Sequence, residues 1–311
     1  MGGGASMGEH VGIDTQSIRV ITTPEEAVQK AAVLVEALPW LHRFQDAIVV
    51  VKFGGNAMVD FALTRAFAQD MAFLRFAGIR PVVVHGGGPQ ITAALDAKGI
   101  PSEFRGGYRV TTAEAIPVVR EVLVEQVATG ITAKLERYGD LGVRVPGDTG
   151  VLTGVRKGVV IDGQNVDLGL VGEVTAVDVS AIMAALDDGR VPVISTVARE
   201  AGSEQILNVN ADSAAAAIAV ALGAAKLIVL TDVAGLYADW PDTESLISHI
   251  DAPELRAMLP ALESGMIPKM QACLTAVEGG VAKAAVIDGR QAHSVLLEIF
   301  TDTGIGTEVV A

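Results

Sequence analysis

The chain has 311 residues, half of them apolar and only 4% aromatic, so a sizeable core of Ala, Val, Leu and Ile is expected, of the kind that packs helices on a largely parallel sheet. Its formal net charge of −14 argues against nonspecific binding to nucleic acid or anionic membranes, and leaves any anionic substrate to local cationic groups. The single cysteine, Cys273, excludes an internal disulfide and fits a reducing compartment, so a cytoplasmic location is expected; no charge-free apolar run reaches the ~18 residues of a membrane span.

Residues 1–22 read as a flexible N-terminus, Gly-rich up to Gly8 and without the apolar core of a signal peptide. Thr23-Pro24-Glu25-Glu26 reads as a helix start: Thr23 as N-cap, Pro24 at the first helical position, Glu26 closing a capping box. Ala27, Ala31, Leu34, Val35 and Leu38 then share one face, and Pro39 weakens or ends the helix, so residues 23–44 form an N-terminal helical segment. A strand over 47–53, a helix over 61–78, a second strand over 80–85 and a helix over 90–98 follow, with Gly54-Gly55 and Gly86-Gly87-Gly88 at the strand ends. That alternation predicts right-handed βαβ units.

Residues 104–112 read as a short hairpin or lid, and 114–138 as a long helix. Residues 151–177 read as a small antiparallel excursion with turns at Asp162-Gly163 and Leu168-Gly169. A buried strand is expected over 191–195, its pairing limited by Pro192, then a helix over 211–222 and a strand over 226–230. Residues 231–237 read as a loop, 253–263 and 270–279 as helices, 284–287 as a strand, and 294–300 as a terminal strand.

Chemistry concentrates at the strand ends. Lys52 sits at the end of a strand directly before Gly54-Gly55, where successive N–H groups can form an anion nest and the ammonium adds a point charge. Gly86-Gly87-Gly88 follows the second strand and precedes a helix, an anion site that needs no cationic side chain; it matches neither the dinucleotide fingerprint nor a Walker A loop. His85 reads as a structural turn residue rather than a catalyst. In Asn208-Val209-Asn210-Ala211-Asp212, two amides and a carboxylate gather where a helix begins; Asp212 could cap that helix or hold two phosphate-binding lysines. Lys269, after Pro268, opens another helix, an unfavourable place for a cation unless an anion is near. Two lysines and two Gly-rich strand ends point to phosphoryl transfer, which is mainly positioning and charge stabilisation. The five histidines and one cysteine give no metal-ligand spacing, and no Ser/His/Asp nucleophile set is visible.

Together and in order, Lys52-Phe53-Gly54-Gly55-Asn56-Ala57, His85-Gly86-Gly87-Gly88-Pro89-Gln90, Gly107-Tyr108-Arg109-Val110-Thr111, Asn208-Val209-Asn210-Ala211-Asp212, Leu230-Thr231-Asp232-Val233-Ala234-Gly235 and Gly265-Met266-Ile267-Pro268-Lys269 resemble the amino acid kinase family, and within it the acetylglutamate kinases. The resemblance spans residues 45–311. It implies an open three-layer αβα sandwich with a mainly parallel central sheet, an acetylglutamate-binding lobe over 45–222 and an ATP-binding lobe over 223–311. It implies that Lys52 and Lys269 stabilise the migrating phosphoryl group and that Asp212 orients both. Gly54 and Gly55 with Gly87 and Gly88 would donate N–H groups, while Arg109 and Asn208 would hold the substrate. Asp232, Val233, Ala234, Gly235, Leu236 and Tyr237 would line the nucleotide site, with Mg2+ carried mainly by the ATP phosphates. The N-terminal helix resembles that of the arginine-inhibited branch, whose hexamers are trimers of dimers; His293, Glu298 and Gly306 would then belong to an L-arginine effector segment. The rivals are another member of the family, such as an aspartate or uridylate kinase, and a catalytically silent arginine sensor. Extra C-terminal domains expected of the aspartate kinase have no room here.

Overall fold

The structure, a computed structural model, describes residues 23–161 and 164–311; the expected flexible segment 1–22 and the Asp162-Gly163 turn lie outside them. The chain divides into two units, Met1–Pro39 and Trp40–Ala311. In the first, α1 (Pro24–Glu36) starts with the expected capping box: Glu26 N–H donates to Thr23 Oγ1 at 3.2 Å and Thr23 N–H to Glu26 Oε2 at 3.0 Å. Helical geometry resumes beyond Ala37 in the short α2 (Leu38–Arg43).

The larger unit runs β1 (Ile48–Phe53), α3 (Phe61–Phe76), β2 (Arg80–His85), α4 (Gly88–Ala97), β3 (Phe104–Arg105), β4 (Tyr108–Arg109), α5 (Ala115–Arg120), α6 (Ala128–Leu135), β5 (Gly142–Pro146), β6 (Leu152–Ile161) and β7 (Gln164–Val177). It continues with α7 (Ser180–Asp187), β8 (Val191–Ser195), β9 (Val197–Glu200), β10 (Ile206–Val209), α8 (Ala211–Ala221), β11 (Lys226–Thr231), β12 (Leu236–Tyr237), β13 (Leu246–Ile247), β14 (His249–Asp251), α9 (Ala252–Met258), α10 (Ile267–Glu278), β15 (Lys283–Asp288), α11 (Ser294–Ile299) and β16 (Thr307–Val310).

The central sheet has the order β14-β16-β15-β11-β1-β2-β8-β5 and is parallel except where β15 meets β16. The strands alternate between two apolar layers, as a doubly covered sheet requires. Val49, Val51 and Val83 face α3, α4, α5–α6 and α11, whereas Val50, Val82 and Val84 face α7, α8, α9 and α10. This is the three-layer αβα sandwich. Strand order reverses at β1 and β11, so the crevice for a ligand opens beyond their C-terminal ends.

Three expectations change. The 151–177 excursion is antiparallel as expected but consists of two long strands rather than short runs, and β6, β7, β9 and β10 close a small barrel. Leu168-Gly169 is not a turn but the middle of β7, where Gly169 adopts φ +71 beside the Thr111 carbonyl. Pro192 limits pairing as expected: the ladder to β2 begins at Val193, while β5 pairs across Pro192 through Val143. Residues 294–299 form a helix rather than a terminal strand; the terminal strand is β16. Between α5 and α6 the helix is wound as π over Glu121–Val127.

Candidate functional site

Lys52 is the fifth residue of β1, buried with its ammonium curled back over Gly54, where a Cβ would lie 2.8 Å from Nζ. Gly55, at φ +71, clears Asp232 in the same way, since a Cβ there would stand 3.0 Å from Asp232 Oδ1. Each glycine thus makes room for a charged side chain, which sequence reading assigns only to anion binding.

Asn210, not Asp212, caps α8: its Oδ1 accepts from the N–H groups of Asp212 and Ser213 at 2.8 and 3.0 Å. This leaves the Asp212 carboxylate free to meet both lysines. Lys52 Nζ lies 2.9 Å from Oδ1 and Lys269 Nζ lies 3.8 Å from Oδ2. Lys269 is in the first turn of α10, and Asp212 is the anion that its unfavourable place calls for. Burial alone would raise the Asp212 carboxyl; the charges of Lys52 and Lys269 outweigh it and hold the group below the ordinary carboxylate range. Burial, with Lys52 adding repulsion, lowers the Lys269 ammonium, and Asp212 and Asp232 oppose that.

A cavity of about 270 Å³ gathers Lys52, Gly54, Gly55, Gly87, Gly88, Arg109, Asn208 and Asp212. Gly87 precedes α4 without a side-chain cap, so the first N–H groups of that helix face the cavity unclaimed by a cap. Gly87 is required by crowding, since a Cβ would come 2.7 Å from Leu123 of the π-wound segment. His85 Nδ1 lies 3.0 Å from the Gly86 carbonyl; burial pushes the imidazole down to about 4, so it is a neutral N–H donor under the glycine turn. Arg109 is nearly buried on β4 and donates to Gly88 O at 3.1 Å, to Thr92 Oγ1 at 2.7 Å and to Ser102 Oγ. Asn208 Nδ2 donates to Thr111 Oγ1 at 3.1 Å, which ties β10 to the lid strand.

The nucleotide-loop residues separate. Val233, Gly235, Leu236 and Tyr237 line a second cavity of about 80 Å³. Trp240, 5.2 Å from the Tyr237 ring, completes its wall, and sequence reading passes it over. Asp232 stands at Gly55, and Ala234 lies in the same loop without lining the cavity. Thr307 supports the loop from below, accepting from Leu236 N–H at 2.7 Å.

None of the three effector candidates lines that cavity. Glu298 is buried, with Lys226 Nζ 2.7 Å from Oε1 and Ile305 N–H donating to Oε2 at 3.0 Å. Lys226 is the missed residue here. A lysine opening an apolar strand is the only signal, and its partner is 72 residues away. Gly306 answers to packing, because a Cβ there would overlap the Val286 carbonyl. His293, at φ +60, caps no backbone group of α11; its Nδ1 lies 2.6 Å from Oδ1 of buried Asp70 on α3.

Burial raises the Asp70 carboxyl to about 6, with the His293 hydrogen bond and charge opposing. Its folded pKa exceeds the unfolded 3.8, so the stability this group contributes declines as pH rises from about 4 through 6. Replacing His293 by alanine removes the opposing hydrogen bond and drives the carboxyl higher. The variant is expected to lose about 2 kcal/mol against the parent at pH 8, where a buried carboxylate left with only the Val295 backbone hydrogen bond must ionise, and far less at pH 5. Urea unfolding at both pH values measures the difference; equal losses at both would refute it.

Among the described residues, no group of three or more His, Cys, Asp and Glu could hold a metal, and Asp212 is already engaged by two ammonium groups. Cys273 is buried on α10, its thiol pushed up by burial and then by the Asp212 charge, which leaves it inert. No helix among the described residues is long and apolar enough to cross a membrane.

Residues 47–288 match the model of the amino acid kinase family. The acetylglutamate kinase of Clavibacter sepedonicus is 64% identical over 92% of this chain and 95% of its own. That of Leifsonia xyli subsp. xyli is 60% identical over 91% and 94%. N-acetylglutamate synthase from Neisseria gonorrhoeae, solved with coenzyme A and N-acetyl-glutamate, superposes with a TM-score of 0.75 at 27% identity, covering 90% of this chain and 63% of that one. The same synthase was also solved with coenzyme A and L-arginine. The chain belongs to the amino acid kinase family.

Proposed function

We propose that the protein uses MgATP to phosphorylate the side-chain carboxylate of N-acetyl-L-glutamate, a step of arginine biosynthesis, and that it works in the cytoplasm. The observation that carries this reading is the meeting of Lys52 and Lys269 on Asp212, at 2.9 and 3.8 Å, beside two glycine-rich strand ends. Residues 45–222 form the acetylglutamate lobe and 223–311 the ATP lobe. Arg109 and Asn208 hold the substrate. Gly87 and Gly88 donate to its reacting end, Gly54 and Gly55 to the phosphates, and residues Asp232–Tyr237 to the nucleotide.

A carboxylate of this type is already ionised at neutral pH, so no general base is needed. One carboxylate oxygen attacks the γ-phosphorus in line as the bond to the bridging oxygen of ADP breaks, leaving an acyl phosphate. Lys52 and Lys269 neutralise charge on the migrating group, and Asp212 keeps them at the required spacing. Magnesium, when bound, neutralises charge on the triphosphate. A coupled ADP-release assay with acetylglutamate, aspartate and UMP tests the reading. Turnover is expected with acetylglutamate alone, and turnover with either other acceptor instead would overturn it.

L-Arginine is the proposed inhibitor, in an assembly of six copies built through the N-terminal helix. The small cavity at Glu298 supports this, with Asp302, Glu308, Trp40 and Arg43 around it. Millimolar arginine is expected to depress activity. A titration that changes neither activity nor particle size in sedimentation would remove this part.

A further inference from the structure

Arg109 is set in its place by a hairpin whose other strand carries an aromatic side chain with no assigned role. Gly106 and Gly107, at φ 55 and 81, make the two-residue turn that matches strand twist and fixes the register. That register pairs Phe104 with Arg109 and Arg105 with Tyr108, so the two pairs face opposite sides of the lid. On one side the Arg109 guanidinium lies 4.6 Å from the centre of the Phe104 ring. On the other, Lys157 of β6 lies 5.2 Å from the Tyr108 ring. One cation–π contact thus lies within the lid, on the side of the cleft, and the other joins the lid to β6.

Phe104 is 57% exposed, a large apolar group left in water, while the arginine beside it is only 7% exposed. The acceptors around the guanidinium edge are neutral: Gly88 O, Thr92 Oγ1 and Ser102 Oγ. Arg109 is thus a nearly dry cation without a carboxylate among its hydrogen-bond partners; burial lowers its pKa, with the charge of Asp96 opposing. Hydrogen bonds alone leave the guanidinium free to tilt; a ring packed against it restricts that freedom and keeps water from it.

We propose that Phe104 is a positioning residue for substrate recognition: with its ring against the Arg109 guanidinium, it fixes and dehydrates that group so that its N–H donors meet the α-carboxylate of acetylglutamate, the one that is not phosphorylated. The proposal rests on the assignment of Arg109 to that carboxylate. Dehydration strengthens the charge pair, because the same two charges attract more strongly when water is excluded. The quadrupole of the ring, not its bulk, is the operative property.

The test is steady-state kinetics with acetylglutamate varied at saturating MgATP, on the full chain. Phe104→Ala is expected to raise the KM for acetylglutamate about fivefold to tenfold, with kcat and the KM for ATP within about twofold. Phe104→Trp restores the parent KM, whereas Phe104→Leu, apolar but without a π face, behaves like the alanine variant. A leucine variant with the parent KM would overturn the proposal, as would an alanine variant whose defect lies in kcat. Arg109→Lys keeps the charge but not the planar fork and separates the two levels of inference. If it leaves the KM for acetylglutamate unchanged, the Arg109 assignment itself falls. If it raises that KM while the Phe104 variants do nothing, only the role of Phe104 falls. Unfolding midpoints show whether each variant is folded.

Discussion

Replacing Lys52 by alanine is expected to lower kcat by about a hundredfold or more, with smaller changes in the KM for either substrate. The loss is confined to the transition state because charge on the transferred phosphoryl group is spread over its equatorial oxygens only as the old bond loosens. Lys52 stands at the end of a completely buried strand stretch, so its ammonium is pre-positioned and needs no reorganisation during the reaction. Water entering the alanine variant could solvate the phosphate but not in a fixed direction. Arginine at the same position would not rescue, since the space over Gly54 is matched to the end of a lysine chain, with Nζ 2.8 Å from where a Cβ would stand. ADP release measured at saturating substrates checks the prediction; near-parent turnover by the alanine variant would remove Lys52 from the chemistry.

The motifs that gather at this cavity are legible in the sequence because each is local, whereas the meeting of Lys52, Asp212 and Lys269 joins residues far apart in the chain. A lysine at a strand end, glycines directly after it, and alternating amides before a helix each follow from spacing within a few residues. Central strands such as 80–85 were equally visible, because a continuous Val run bounded by glycine has few other readings. The parts that escaped depend on partners far apart in the chain. Lys226 and Glu298 are separated by 72 residues, and Asp70 and His293 by 223, so neither pair leaves a local trace. Gly169 looked like a turn because glycine marks turns, but here it allows the Thr111 backbone to pass close by. Residues 294–299 carry an apolar run that suits a strand; the helix wins because Val295 and Ile299, four apart, both face the core against α3. Phe104 was hidden differently. Its pairing with Arg109 is only five residues away, but recognising it requires the register that two positive-φ glycines impose.

Asp212→Asn carries the second large effect, and its cause lies in charge rather than in shape. The amide keeps the side-chain volume and leaves the Asn210 cap of α8 untouched. What disappears is the one carboxylate shared by two ammonium groups in a mostly buried site. In the parent that carboxyl is held below its ordinary pKa. The stability it contributes is therefore fully present above about pH 4 and is lost only as pH falls through the lower folded value. In the variant, Lys269 still suffers burial and repulsion from Lys52, but the largest influence holding its proton is gone. Its ammonium must titrate at lower pH than in the parent. Since phosphoryl transfer uses the protonated form, kcat should fall about a hundredfold at neutral pH, and its alkaline limb should move towards neutrality. A kcat–pH profile from about pH 6 to 9 reads both effects. A uniform decrease with an unshifted alkaline limb would mean that Asp212 only places the lysines; a parent-like rate would mean that it does neither.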